Sequence, residues 1–347
     1  MNRLICLLGI AAITSLSSGR ATAAAPAATH RPFSVTIVDD QGNRVHLSHR
    51  PTRIVSLFAD YTEILFALGL EKRIVGDGSQ YAEGATGLGL NGGTPRPFRY
   101  PSEWPSRLGR DYPVVAPRLP HVEGGFQSDP FNLETIESLR PDLVVAPYYA
   151  SQTEVYQKMH DLGLKVVFLN PANLVGVFHD IELVGVLTGT ASQASSLVTY
   201  MKKSLGALKA RLAHVRTRPR VYYEIDGTNP SQPYTAGPGT VVDEAIKLAG
   251  GRNIADSVST CAGTTCYPQF GLESLVAADP QIIVLADAVY GATKAGVAAR
   301  LGWSSISAVR SGKIDTIDPD LLSRFGPRVI IGVVDLARLI HPEAFRR

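Results

Sequence analysis

Glu134 and Glu273 stand at matching places in two stretches of the chain more than a hundred residues apart. Asn132-Leu133-Glu134 runs to Pro141-Asp142-Leu143-Val144-Val145, and Gly271-Leu272-Glu273 runs to Pro280-Gln281-Ile282-Ile283-Val284. In each, a Glu opens a short amphipathic run and a Pro follows seven residues later, before a β-branched segment. A carboxylate in the first turn of a helix is favoured by the macrodipole by about 0.3–1 kcal/mol. That role needs no partner; the same exposed group can also meet a cation outside the chain, adding orientation more than affinity. Repetition sets architecture before it sets roles, and here it predicts two similar α/β lobes with something held between them.

The other reactive side chains do not assemble into a catalytic pattern. The 8 His (His30, His46, His49, His121, His160, His179, His214, His341) are dispersed, and there is no G-x-S-x-G elbow and no H-E-x-x-H. No catalytic residue, no metal ligand and no cofactor is therefore expected, and import of a bare zinc or manganese ion is disfavoured. Gly87-x-Gly89-x-x-Gly92 matches a dinucleotide fingerprint in form, but it lacks a strand before it and a helix after it.

Length and composition set the frame. At 347 residues, with 45% apolar and 19% charged residues, the chain suits two domains and excludes long disorder. Arg3, the apolar run Leu4 to Leu16 and Ala21-Thr22-Ala23 read as a secretory signal peptide over residues 1–23. Cys6 lies at the beginning of that apolar run, the wrong end for lipid attachment, and the run is too short to span a membrane. Loss of Arg3 and Arg20 takes the formal charge from +3 to +1, which gives no reason to invoke nucleic acid. The exported chain then keeps only Cys261 and Cys266, a C-x4-C pair that in an oxidising compartment predicts a disulfide.

These residues need elements to position them. Arg53 to Leu57, Tyr61 to Leu70 and Lys72 to Gly76 read as a β-α-β unit. A Gly/Pro-rich stretch from Asp77 to Val122 interrupts the pattern, and loops of that length are often functional. Asn132 to Leu139 and Ser151 to Leu162 read as helices, Leu143 to Ala146 and Lys165 to Leu169 as strands. Leu174 to Val215 lacks Pro and carries Leu183, Leu187, Leu197, Met201, Leu205, Leu208 and Leu212 at helical spacing. It predicts one long helix or two abutting ones, with Gly185 and Gly189-Thr190 as the place for a break. After Pro219 the α/β pattern restarts with Arg220 to Ile225 and ends in a helix over Pro327 to Ile340.

The assembled text resembles the periplasmic substrate-binding proteins of ABC importers for vitamin B12, haem and ferric siderophores. The motifs that carry the resemblance are Arg53-Ile54-Val55-Ser56-Leu57 with Thr62 to Gly69, Asn132-Leu133-Glu134 with Arg140 to Val144, Pro233 to Gly237 with Ala249 to Ile254, and Gly326-Pro327-Arg328. It implies two Rossmann-like α/β lobes joined by one long backbone helix, with a ligand cleft between the lobes. The boundaries become a signal peptide at 1–23, an N-terminal lobe at 33–173, a linking helix at 174–216 and a C-terminal lobe at 217–345. It also implies a monomer in the periplasm that performs no chemistry on its ligand. Glu134 and Glu273 become docking knobs for arginines of the membrane permease.

Aromatic residues ahead of each glutamate are the candidates for ligand contact: Phe126 and Phe131 in the first lobe, Tyr267 and Phe270 in the second. Tyr267 has the spacing of the aromatic that stacks on the corrin in vitamin B12 binders, Tyr234 follows the Pro-rich turn, and Tyr81 lies where a first-lobe tyrosine loop belongs. Ser128 takes the place of the aromatic expected six residues before Glu134, with Phe126 as its substitute. Cobalamin is the expected ligand. Haem is the alternative, with Tyr81, Tyr234, Tyr267 or His121 as axial ligand, and a ferric siderophore would draw on Arg96, Arg99, Arg324 and Arg328. Tyr222 and Tyr223, inside a strand, read as core.

Overall fold

The computed structural model describes residues 33–78, 119–122, 130–263 and 265–346. The first element is a hairpin of β1 (Val35–Val38) and β2 (Arg44–Leu47), which the motifs do not announce. Its turn is organised by the Asp39 carboxylate, which accepts from the N–H groups of Gln41 at 3.0 Å and Asn43 at 2.8 Å.

The first lobe is a parallel sheet of β3 (Ile54–Ser56), β4 (Ile74–Asp77), β5 (Leu143–Pro147) and β6 (Val166–Leu169), in the order β4-β3-β5-β6. Helices α1 (Ala59–Ala67), α2 (Leu133–Ser138) and α3 (Thr153–Asp161) accompany it. Its strands are buried at every position except the half-buried Val75 and Val166, as in a sheet covered on both faces. Ile54, Leu143 and Val145 point into one core, and Val55, Val144 and Ala146 into the other.

Two helices leave this lobe: α4 (Leu174–Thr188) and α5 (Ala191–Leu212). The single linking helix implied by the resemblance is thus corrected to a packed pair. The break lies at Gly189, whose φ of 73° is the left-handed cap that closes α4. A side chain other than glycine would be strained there and would meet the Arg50 guanidinium.

The second lobe has β7 (Arg220–Asp226), β8 (Tyr234–Thr235), β9 (Arg252–Asn253), β10 (Ile282–Leu285) and β11 (Ile314–Thr316). The order is β11-β10-β7-β8 with β9 also on β7, and every pair is parallel except β7 with β8. Helices α6 (Val241–Leu248), α7 (Leu272–Ala278), α8 (Lys294–Ala298), α9 (Ser307–Arg310), α10 (Asp320–Ser323) and α11 (Val329–Ile340) complete it. Tyr222 and Tyr223 are buried on opposite faces of β7, as the strand reading expects. One core runs from Ile54 and Val145 through Leu183, Leu197 and Met201 to Val221 and Ile330, so the linker is packed into both lobes.

The repeat has a structural cause at its second half. Arg53 donates from Nε and Nη2 to the carbonyl of Leu139, at 3.0 and 2.7 Å, at the end of α2. Arg220 donates likewise to the carbonyls of Ala278 and Asp279 at the end of α7, each at 2.9 Å from Nε. The residues before the two prolines, Arg140 and Asp279, both have positive φ, 44° and 42°. Asp142 accepts from the Arg53 N–H at 3.0 Å, and Gln281, its counterpart after Pro280, accepts from the Arg220 N–H at 3.1 Å. In each lobe a cation at the start of the first sheet strand closes the negative end of the repeat helix.

The lobes meet through two carboxylates of α1. Glu63 accepts from the Arg328 backbone N–H at 2.8 Å and from its Nε at 2.9 Å, with both side chains buried. A Cβ on Gly326 would stand 2.8 Å from the Glu63 Oε1, so glycine is what lets the two segments approach. Asp60 Oδ2 accepts from the Phe325 N–H at 2.9 Å, while its buried Oδ1 has no donor. Burial pushes the Asp60 carboxyl up to about 7, against the pull of the Phe325 N–H and Arg324.

Two outcomes follow from this junction. Glu63→Gln, which removes a doubly bonded carboxylate from the buried Arg328 guanidinium, lowers unfolding stability in urea by about 3–5 kcal/mol, and Glu63→Gln with Arg328→Met recovers part of the loss. Because the folded pKa of Asp60 lies above its unfolded value of 3.8, its contribution is complete below pH 4 and lost as pH rises through about 7. Thermal melts from pH 4 to 8 should fall more steeply for the wild type than for Asp60→Asn, by up to about 4 kcal/mol across the window.

Candidate functional site

In an open parallel sheet, a crevice forms beyond the carboxyl ends of two neighbouring strands whose connections leave in opposite directions. In the first lobe that point lies between β3 and β5. The chain leaves β3 into Asp60 and leaves β5 into Tyr148 and Tyr149. Burial and the Asp60 charge push the Tyr149 phenol up to about 12, which places the two side chains in one environment.

In the second lobe the corresponding point lies between β7 and β10. A cavity of about 470 Å³ occupies it, lined by Asp226, Gly227, Thr228, Asp287, Tyr290 and Arg300, among others. Asp287 Oδ2 accepts from the Gly227 N–H at 2.9 Å, and its Oδ1 is buried without a donor. Arg300 is not a free cation: it holds the buried Glu224 through two contacts of 2.5 and 2.8 Å, with its guanidinium 4.6 Å from the Trp303 ring. Tyr290 is 78% exposed at the rim.

The two points are brought together by the junction. Burial, then the charge of Asp60 in the opposite lobe, push the Tyr267 phenol up to about 12. Burial, then Tyr267, raise the Tyr223 phenol, whose hydroxyl has no partner among the described residues. Among the described residues, buried oxygens without a partner thus occur on Asp60 and Asp287, beyond the carboxyl ends of β3 and β10, and on Tyr223 within β7. Buried polar atoms are nearly always paired, so an array of this kind suits a ligand that brings its own donors.

Tyr234 and Tyr267, two of the aromatics proposed for ligand contact, are 40% and 36% exposed. Tyr234 belongs to β8 and bridges to Gln269, so one short antiparallel segment carries both rings. The Cys261–Cys266 pair is a disulfide, with Cα atoms 5.3 Å apart, immediately before Tyr267. Closing so short a loop contributes about 2 kcal/mol at most by chain entropy. The loop is also pinned where Cys266 accepts from the Gly237 N–H at 2.8 Å.

Phe270 is corrected to a core residue: it is buried in the cluster that holds Tyr222, Leu275 and Trp303. Phe131 is likewise buried, against Val55 and Ile136. Tyr81, Phe126, Arg96 and Arg99 lie outside the described residues. Arg328 is spent on Glu63, and Arg324 pairs with Asp320 at 3.0 Å. His121 is exposed, its Nδ1 3.1 Å from the Asp77 carbonyl. Glu134 and Glu273 are exposed in the first turns of α2 and α7. Asn132 caps α2 by accepting from the Thr135 N–H at 3.0 Å, so Glu134 is not needed there, whereas α7 starts at Gly271 with no side-chain cap.

Tyr149, Asp60, Asp287 and Tyr290 carry no motif. The signal that finds them is position: they follow the strands of the β-α-β unit and of the repeat, whereas the aromatics singled out precede the repeat helices.

A profile of the periplasmic binding protein family matches residues 101–321. An uncharacterized ABC transporter substrate-binding lipoprotein of Bacillus subtilis, YvrC, is 29% identical over 90% of this chain and 88% of its own. A cobalamin-binding protein of Halobacterium salinarum is 28% identical over 95% of this chain and 82% of its own. Among solved structures, the periplasmic heme-binding protein BhuT in complex with two hemes superposes with a TM-score of 0.64 at 25% identity, over 84% of this chain and 98% of its own. Among the described residues no helix is long and apolar enough to cross a membrane. The family is one of non-enzymatic binding proteins that serve a permease, and the chain belongs to it as a substrate-binding protein of an ABC transporter.

Proposed function

We propose that this protein captures cobalamin, or a close corrinoid, in the crevice between its lobes and hands it to an ABC permease. The observation that carries this reading is the pair of buried, unpartnered carboxylate oxygens on Asp60 and Asp287 at the carboxyl ends of the two sheets, with the Tyr149 and Tyr267 phenols near Asp60 and the exposed Tyr234 on the same short segment as Tyr267. A corrin ring offers a broad apolar face for aromatic side chains, and its rim of primary amides offers N–H donors to carboxylate acceptors. The cobalamin-binding relative from Halobacterium supports the same ligand.

Haem is the second reading, favoured by the likeness to BhuT. Its propionates are anionic and would face Asp60 and Asp287, while Arg300, Arg324 and Arg328 are already engaged by carboxylates. A phenol pushed up to about 12 also resists the deprotonation that axial ligation by Tyr267 would need. Both considerations favour a neutral, amide-rich ligand.

Residues 1–23 act as a cleaved signal peptide that delivers the chain to the periplasm, and 33–173 and 217–345 act as the two lobes about the linker at 174–216. Glu134 and Glu273, one in each lobe, meet arginines of the permease. Charge-assisted contacts of this kind set docking geometry and rate.

Calorimetric titration with cyanocobalamin should give one site of micromolar affinity or better, about −8 kcal/mol. Tyr267→Ala and Tyr234→Ala should each weaken it by about tenfold. No heat with cyanocobalamin, together with a Soret shift on adding haemin, would replace cobalamin by haem. Glu134→Lys with Glu273→Lys should abolish uptake in cells while leaving the calorimetric affinity unchanged; loss of affinity or of thermal stability in that variant would reduce both residues to helix electrostatics.

A further inference from the structure

The tip of the first hairpin and the linking helix α4 place three metal-ligating side chains together. Asp40 follows β1, His179 and Asp180 are neighbours on α4, and one ligand atom from each lies within 4.8 Å of the others. We propose that Asp40, His179 and Asp180 form a binding site for a first-row divalent cation, separate from the groups assigned to the transported ligand.

The argument begins with Asp180. It is 1% exposed, and neither of its carboxylate oxygens has a hydrogen-bond donor. A second acid faces it: Asp40 offers a carboxylate oxygen within 4.8 Å of one on Asp180. Among the described residues, the only basic side chain within ion-pair reach of either acid is His179, with Nε2 3.9 Å from the Asp40 Oδ1. Two facing acids in a buried place must take up either a proton or a cation.

Asp40 is held ready for this. Its Oδ2 accepts from the Asn170 N–H at 2.6 Å, and the preceding Asp39 accepts from the Phe168 N–H at 3.1 Å. These contacts tie the hairpin tip to the end of β6 and leave the Asp40 Oδ1 facing the cluster. The His179 side chain is 59% exposed and can turn, which gives an ion a path from solvent.

Ligand atoms on one tetrahedral ion, each about 2.0–2.2 Å from it, lie about 3.4 Å apart, so the cluster must contract by about an ångström. Rotation of the exposed imidazole supplies that. One imidazole and two carboxylates suit zinc, manganese or cobalt rather than calcium, which takes oxygen ligands alone. Dispersed in sequence, these residues meet only because the hairpin folds against α4.

The test uses the purified chain stripped with a chelator and titrated with zinc or manganese chloride at neutral pH. One ion per chain should bind, and cobalt should give a visible absorption band. Asp180→Asn, an isosteric change that removes a buried acid, and His179→Gln should each raise the dissociation constant by about tenfold or more, with the metal-free melts showing both variants folded. No saturable binding by about 1 mM metal, or binding equal in wild type and both variants, would overturn the site and leave a carboxyl pair sharing a proton.

Discussion

The contact on which the rest depends is the pairing of α1 with the segment before α11, where Glu63 holds Arg328 and Asp60 holds the Phe325 N–H. Both carboxylates come from one turn of helix at the carboxyl edge of the first sheet, and both partners belong to the second lobe. A buried, doubly bonded ion pair tolerates little displacement, since separating it strands two desolvated charges. The junction therefore fixes the separation of the two sheet edges, and with it the distance between Tyr149 on one side and Tyr267 on the other. With the linker also packed into the common core, a crevice of nearly constant width is the expected behaviour.

The two lobes solve the same local problem in the same way. A short helix ends against a sheet, its last carbonyls need donors, and an arginine at the start of the first strand supplies them: Arg53 for α2 and Arg220 for α7. The prolines and the preceding residues of positive φ turn the chain back into β5 and β10. This accounts for the half of the repeat that contains no glutamate. Glu134 and Glu273 are left over from that architecture as exposed charges in first turns, where the dipole tolerates them and a partner can use them.

Electrostatically, the crevice is a place for acceptors. Among the described residues, three cations near it are engaged internally, Arg300 by Glu224, Arg324 by Asp320 and Arg328 by Glu63. The described groups toward the opening are carboxylate and phenol oxygens beside aromatic rings. Such a surface rewards a ligand that is broad, apolar on its face and rich in N–H groups at its rim, and penalises one that is anionic there.

Strand positions, helix positions, the disulfide pair and the two-lobe architecture were legible in the sequence, because period-two and period-3.6 burial and a five-residue cysteine separation are local properties. The exposed tyrosines of the second lobe were legible for the same reason, since they lie beside Pro and Gly in short loops. Phe270 was not: nothing local distinguishes a ring that faces a ligand from one buried in the core that holds Tyr222, Leu275 and Trp303. The linker's division at Gly189 was open in the sequence and was decided by close packing of α4 against α5. The meeting of Glu63 with Arg328, 265 residues apart, of Asp60 with the Tyr267 loop, and of Asp40 with His179 and Asp180 was decided by the tertiary structure alone. Local pattern carries which face of an element is buried; which charges share a buried space depends on how whole elements dock, and that is set by the fit of both lobes and the linker at once.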